Sequence, residues 1–508
     1  MPVRVGESLS LDDVVAVARG AQVELASEAT ERIVAARSVV DRAVASNATV
    51  YGVTTGFGSL ANVRIEPAQA DALQAAIVRS HATAVGRPLS REEARAMLLL
   101  RAHVLALGHS GVRAEIVERM VEMLNLDMIP VVPEQGSLGA SGDLAPLATL
   151  ALPLLGSGEV LMDGRTVPAA DALAAAGLAP IELRAKEGLA LVNGTQGMLA
   201  VGILAAERAE RLVKTADVTA AMSVEASLGS DRVFDERLTA LRPHAGVVAS
   251  AANLRRLLDG SPIVASHRDS PHLVQDAYSL RCSPHVNGAT REVLRFSQGV
   301  LETEANAVSD NPIVLPEDDE VLSSGNFHGQ PVAVALDALA AAIVPLASIA
   351  ERRLYRLLDP VRSNGLPAFL VRESGLNSGF MLVQYTAASI VSECKTLAHP
   401  ASVDSIGSSA GQEDHVSMGM TAARHARDVV ANAEVVIALE ALVAAQALDL
   451  RAPLEPAVGT GAARDAIRER VTFLDADREL RPDIDSVTDL VRSGVLLEAA
   501  EAAVGALG

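Results

Sequence analysis

Residues 136–150 read GSLGASGDLAPLATL, and the order of residue types at the centre of that string has a chemical use. Ala140, Ser141 and Gly142 stand in a row, flanked by Gly136, Gly139 and Asp143, with Pro146 closing the turn-forming part. Glycine bends at little steric cost, so the Gly142 nitrogen can reach back to the Ala140 carbonyl and close a five-membered ring. Loss of two waters, one of them taking the Ser141 hydroxyl, would leave an exocyclic methylene on an imidazolone. That product is an electrophile no ordinary side chain supplies. The same glycines also suit a plain Gly/Ser loop before an apolar segment, or a phosphate cradle. The cradle wants a following Lys and Ser/Thr, and here Asp143 follows Gly142.

The elements that must hold this loop are read from periodicity. Ser10 with Asp13 caps a short helix ending at Gly20, and an amphipathic helix is expected over 27–46. Residues 51–63, YGVTTGFGSLANV, break the period with three glycines, two threonines and two aromatics, the mark of a functional irregular loop. Ser90 and Glu93 form a capping box for a helix toward Leu107, and a helix over 114–126 delivers the chain to the glycine string. A strand-containing excursion around 159–167 and a helix from Ala169 follow. Further polar breaks are expected at 188–196 (GLALVNGTQ) and 266–288, which contains VQDAYSLRCSPHVNG. Helical spacing then lengthens over 290–308, 330–358, 379–399 and 417–450, with irregular connections at 323–330 and 399–412. At about 1.5 Å per residue such helices are long for a globular domain, and side by side they build a bundle. The segment from Ala452, which includes Pro482, is expected as an exposed helical cap.

Composition narrows the class. The 508 residues allow two to four domains and a large core. Aromatics make up 2% and Trp is absent, which suits helices packed closely through small side chains. A net charge of -20 disfavours nucleic acid and anionic membrane as partners. Cys282 and Cys394 are the two cysteines, so a disulfide framework is not expected and a reducing cytoplasm fits. The start, MPVRVGESLSLDD, lacks the pattern of a secretory signal. The long apolar run at 331–350 carries Asp337 and Pro345 and reads as a buried core helix rather than a membrane span.

The fifteen-residue glycine string resembles the signature of the aromatic amino acid ammonia-lyases and aminomutases. In that family the triad matching Ala140, Ser141 and Gly142 becomes 4-methylidene-imidazol-5-one (MIO), with no metal or diffusible cofactor. Each break in the periodicity resembles a motif of the same family, so the likeness covers almost the whole chain. It implies a mainly all-α long-helix bundle with irregular active-site loops and a fumarase/aspartase-like superhelical core. The division expected is an N-terminal MIO-bearing helical domain over 1–200 and a central long-helix bundle with a C-terminal cap over 201–508. A homotetramer, with each active site drawing loops from three subunits, is also implied.

The resemblance assigns roles residue by residue. Tyr51, in a motif like the family's active-site cover, is a candidate acid or base, since a phenol near a cationic partner can be lowered enough to exchange protons. Asn193 in VNGTQ matches an asparagine beside the MIO ring. Gln275, Tyr278 and Arg281 in QDAYSLRC match pocket positions, with the tyrosine the candidate for removing the β proton. The arginine fork is suited to a substrate carboxylate. Phe327 in SGNFHGQP resembles a ring-contacting phenylalanine, and Asn311 with Pro312 a scaffold motif. His81 in RSHATAVG and Glu413 in GQEDHVSMG resemble the histidine-specific branch, as does HPASVDSI over 399–406. A carboxylate accepts an imidazole N–H or pairs with an imidazolium, and is costly to bury against a phenyl ring.

Gly411 and the PHVNG string around His285 and Asn287 depart from the family pattern in loop detail. The expected activity is elimination of ammonia from L-histidine to give trans-urocanate. Whether the amine or the ring of the substrate engages the electrophile stays open. Phenylalanine- or tyrosine-specific MIO enzymes and aminomutases are the near alternatives. The fumarase-like lyases are also long-helix bundles, but their GSSxMPxKxNP string is absent here, and a non-catalytic scaffold leaves the coincidence of motifs and breaks unexplained.

Overall fold

The computed structural model describes residues 2–46, 48–270 and 274–508. Among the described residues helices dominate, and the strands form three two-stranded sheets and one of three strands. The chain divides into two compact units, Met1–Leu204 with Ser297–Asp337 and Pro400–Arg424, and Ala205–Phe296 with Ala338–His399 and His425–Gly508. Residue 200 lies within the helix Gln196–Ala226.

In the first unit both expected capping boxes are formed. Ser10 Oγ accepts from Asp13 N at 3.1 Å while Asp13 accepts from Ser10 N at 3.0 Å, opening the helix Leu11–Ala18. Ser90 and Glu93 repeat the exchange at 3.2 and 2.7 Å ahead of Arg91–Ala106. That helix is buried along nearly its whole length, cations included. Arg95 donates to the carbonyls of Val17 and Leu124, at the last turns of Leu11–Ala18 and Ala114–Asn125, so the buried cation is held by the carbonyl ends of two helices.

Two expectations change here. Pro146 does not close the turn; it sits in the first turn of the helix Leu144–Ala151, where its missing N–H has no intrahelical partner to lose. The break at 188–196 shrinks to residues 193–195, because Glu187–Val192 is helical and entirely buried. Packing overrides the weak local propensity of Gly188.

The long helices include Gln196–Ala226, Ser283–Ala305, Gln330–Leu358, Met381–Leu397 and Gly419–Asp449. Gln330–Leu358 buries Val332, Leu336, Leu339, Ile343, Ala347, Ala350 and Leu354 at helical spacing. Among the described residues it is the one helix long and apolar enough to cross a membrane by length and composition, and 56% of that window is buried.

Within the second unit, Ser283–Ala305 begins seven positions before residue 290. Gly288, which marks a loop in the sequence reading, lies inside this helix. A side chain at Gly246 would come within 2.2 Å of the Gly288 carbonyl oxygen, so the two glycines mark a close approach of helices Ala245–Leu258 and Ser283–Ala305. Two buried ion pairs anchor this unit. Arg353 forks onto Glu440, which also accepts from Thr219 and Ser223, and Asp217 accepts from Ser250, Asn253, Asn287 and Arg291. Removing one partner of such a pair strands a buried charge and costs about 3–5 kcal/mol. The C-terminal segment is helical over Val458–Arg468, Arg481–Ser493 and Val495–Val504, but not merely an exposed cap, because Val487, Leu490, Val491 and Leu496 are buried.

Candidate active site

The glycine string is held by a buried clamp in the first unit. Gly142 has φ +71°, and a Cβ there would lie 2.0 Å from the Gly194 carbonyl oxygen, so the position admits no side chain. Gly142 bridges Gly194, and Asp143 N donates to Gly194 O at 2.6 Å. The Asp143 carboxylate, fully buried, accepts from Ser137 Oγ and from Met198 N, each at 2.7 Å. Burial pushes its carboxyl up to about 6, with the Met198 and Ser137 hydrogen bonds pulling the other way.

A cavity of about 210 Å³ opens beside the triad, lined by Tyr51, Phe57, His81, Ser141, Asn193 and Glu413 among others. The structure thus gathers Tyr51, His81, Ser141, Asn193 and Glu413, five candidate residues from five separate segments of the sequence. Ser141 Oγ donates to Glu413 Oε1 at 3.1 Å. Asn193 Nδ2 donates to Asn311 O at 2.9 Å, while Asn193 Oδ1 is buried without a protein partner. An orphaned acceptor of this kind calls for a donor from outside the chain, such as an ammonium group.

Tyr51 lies at the start of the 51–63 loop, and its phenolic oxygen accepts from Gly58 N at 2.9 Å. Burial pushes the phenol above its ordinary range; the Gly58 N–H opposes the shift and the Glu413 charge adds to it. Tyr51 therefore carries its proton at neutral pH, which favours the acid over the base among its candidate roles. His81 ends the helix Ala70–His81, with the Phe57 ring edge-on at 5.6 Å and Ser80 Oγ 3.0 Å from Nδ1. Burial lowers its imidazole below the ordinary value and keeps it neutral, against the upward pull of the Ile77 carbonyl and Glu413. Gln74 ties this helix to its neighbours, accepting from Leu189 N at 3.1 Å and donating to Gly52 O at 3.3 Å.

Phe327 is half-buried in the turn before Gln330–Leu358 and is not among the residues lining this cavity. Gln275, Tyr278 and Arg281 lie in the second unit. The Arg281 guanidinium stands 4.6 Å from the Tyr278 ring centroid, and the ring is 72% exposed. With its amide oxygen turned to Arg281, Gln275 accepts from the guanidinium at 2.7, 2.9 and 3.2 Å. Gln275 and Arg281 also border a cavity of about 310 Å³ with Asp231, Arg232, Arg268 and Asp276. None of its described lining residues belongs to the glycine string.

Sequence reasoning missed Ser408 and Ser409, which border Glu413, and Ser137, which holds Asp143. The SSAG string at 408–411 is an ordinary turn signal, so its types carry no mark of a site. Among the described residues no group of three or more His, Cys, Asp or Glu is placed to hold a metal ion.

A helical fold with a glycine-bounded Ala-Ser-Gly turn beside a polar cavity defines a class, and the comparisons agree with it. The aromatic amino acid lyase model matches residues 9–469, and the chain belongs to that family. It is 55% identical over 506 residues to a histidine ammonia-lyase of Symbiobacterium thermophilum, covering 99% of both chains. A histidine ammonia-lyase structure from Trypanosoma cruzi matches with a TM-score of 0.92 at 44% identity, over 99% of this chain and 96% of that one. A tyrosine aminomutase from Streptomyces globisporus matches with a TM-score of 0.95 at 38% identity, over 100% of both chains. One backbone thus serves proteins named for different reactions, and side chains must decide between them.

Proposed function

We propose that this carbon–nitrogen lyase eliminates ammonia from L-histidine to give trans-urocanate, the first step of histidine degradation. The observation that carries the reading is Glu413, whose carboxylate shares one cavity with Ser141, His81 and Asn193 and lies within hydrogen-bond distance of the Ser141 hydroxyl. A carboxylate in that place favours an imidazole over a phenyl or phenol ring. Curated relatives at 52–55% identity carry the histidine ammonia-lyase name.

The triad Ala140, Ser141 and Gly142 fits an MIO group: the Gly142 position excludes a Cβ, and the buried Asn193 Oδ1 awaits a donor. Once formed, that group supplies an electrophilic methylene toward the substrate. The chain's own residues do the rest. Glu413 and the neutral His81 hold the imidazole, and Asn193 Oδ1 accepts from the amine. Arg281 meets the carboxylate through its planar fork, with Gln275 bracing the guanidinium. Tyr278 removes one β proton, and the bond from Cα to nitrogen breaks, so the products are urocanate and ammonia. Tyr51, protonated, donates where negative charge develops.

The 72% exposure of Tyr278 supports a homotetramer in which sites are completed by loops of neighbouring copies. The two free cysteines suit a cytoplasmic setting. The test is steady-state turnover of L-histidine, followed as urocanate absorbance, beside L-phenylalanine and L-tyrosine. A wide preference for histidine is expected, and equal efficiency on phenylalanine would defeat the assignment.

A further inference from the structure

The turn that carries Glu413 is more constrained than its composition suggests. Ser409, Ala410 and Gly411 take φ values of +50°, +51° and +90° in succession. Left-handed backbone at two successive non-glycine residues is unfavourable, and persists only where the surroundings over-determine it. Its effect is a tight reversal that sets Ser408 opposite Glu413. Ser408 N donates to Glu413 O at 2.8 Å and Glu413 N donates to Ser408 O at 3.3 Å, so the two residues form an antiparallel bridge. At the same place Ser408 Oγ donates to Glu413 Oε2 at 2.5 Å.

The carboxylate therefore has two differently occupied oxygens. Oε2 is held by Ser408 from its own turn, and Oε1 accepts from Ser141 across the cavity. Maturation of the triad would lose two waters: ring closure expels the Ala140 carbonyl oxygen, and the elimination that leaves the methylene expels the Ser141 hydroxyl, so the donor on Oε1 goes with the second. Ser408 then remains as the hydroxyl on Glu413, and Oε1 is left facing the space where an imidazole N–H would stand. Of the cavity's other polar side chains, the Tyr51 oxygen is engaged by Gly58 N and the His81 Nδ1 lies beside Ser80 Oγ, so neither takes over the task at Oε2.

We propose that Ser408 is a positioning residue for specificity, fixing the Glu413 carboxylate through Oε2 so that Oε1 is presented to the substrate ring. The inference rests on the histidine reading above and deepens it. Ser408 does not touch the substrate in this account; it acts through Glu413. Ser409 serves the other side of the same turn, where its Oγ accepts from Ser59 N in the loop that bears Tyr51 at 3.2 Å.

The experiment compares Ser408→Ala and Ser408→Thr with the wild-type enzyme. Alanine keeps both backbone hydrogen bonds to Glu413 and removes the hydroxyl alone. Losing a charge-assisted hydrogen bond should lower kcat/KM for L-histidine about tenfold in Ser408→Ala. L-Phenylalanine, read as a competitive inhibitor, has no ring group for Glu413 to meet, so its inhibition constant should stay within about twofold. The intact mass should remain two waters below the encoded chain, and Ser408→Thr, which restores the hydroxyl, should recover histidine turnover. If Ser408→Ala keeps wild-type kcat/KM for histidine, or weakens histidine and phenylalanine alike, the positioning role is wrong. A wild-type enzyme that does not turn over histidine would instead remove the reading on which the role rests.

Discussion

Two clusters of candidate residues differ in how finished they are. Around Ser141 the side chains are buried or half-buried and mostly engaged with one another: Tyr51 with Gly58, Asn193 with Asn311, Glu413 with both Ser141 and Ser408. Around Tyr278 the ring is exposed, and Arg281 is occupied by Gln275, by the Asp276 carbonyl and by the ring itself. The first cluster is built to hold a geometry, since its rotamers are fixed by hydrogen bonds that burial makes costly to break. The second is pre-assembled but uncovered, which is what a group delivered to another copy's cavity requires. A solvent-exposed phenol is a poor place for proton abstraction, because water competes for every charge it forms.

The sharpest way to break this comparison is complementation. Tyr51→Phe and Tyr278→Phe should each lower kcat by at least about 10²-fold, the usual worth of a positioned acid or base. Co-assembled, the two inactive chains should partly recover activity, because some sites then take an intact residue from each. Mixtures that stay as inactive as their components, or a monomer that is fully active, would mean that the exposed cluster serves no neighbour.

A smaller effect sharpens the first cluster. Glu413→Gln keeps the shape but removes the charge, and should lower kcat/KM for L-histidine by about 10- to 100-fold, with the mass deficit of the mature chain unchanged. Unaltered histidine kinetics would show that the carboxylate is not the specificity group.

The smallest effect lies away from both clusters and concerns stability. His103 accepts from Gly6 N through Nδ1, and burial, assisted by Arg32, lowers its imidazole to about 4. Its folded-state value is depressed below the unfolded one near 6.5, so the unfolded chain binds the proton first as pH falls. The stability this group contributes is full above about pH 6.5 and lost toward pH 4, about 3 kcal/mol over the window. His103→Asn, which retains an acceptor, should flatten the fall of Tm between those pH values. An unchanged slope would place the titration elsewhere.

Much of this was legible before the fold was known, for physical reasons that can be named. Apolar spacing located Gln330–Leu358 at both ends, and the Ser10 and Ser90 caps announced themselves because capping uses few residue types. Tyr51 and Asn193 were found through family motifs in the breaks of that spacing, and His81 and Glu413 through two further strings that resemble the same family. Gly288 misled because a glycine needed for a close helix approach looks, in sequence, like one needed for a turn. Ser408 was invisible because its role depends on a reversed turn in which two non-glycine residues take positive φ, which nothing in their types foretells. The exposure of Tyr278 was likewise hidden, since a tyrosine at the start of a four-residue helix has no preferred side.

The most direct test of the account is the intact mass of the purified chain beside that of Ser141→Ala. If the clamp of Asp143, Gly194 and Gly142 exists to mature the triad, the wild-type chain should weigh two waters less than its encoded mass and absorb in the near ultraviolet. Ser141→Ala should lack that absorbance and be inactive. A wild-type enzyme fully active at its encoded mass would contradict the claim that residues 140–142 supply the electrophile.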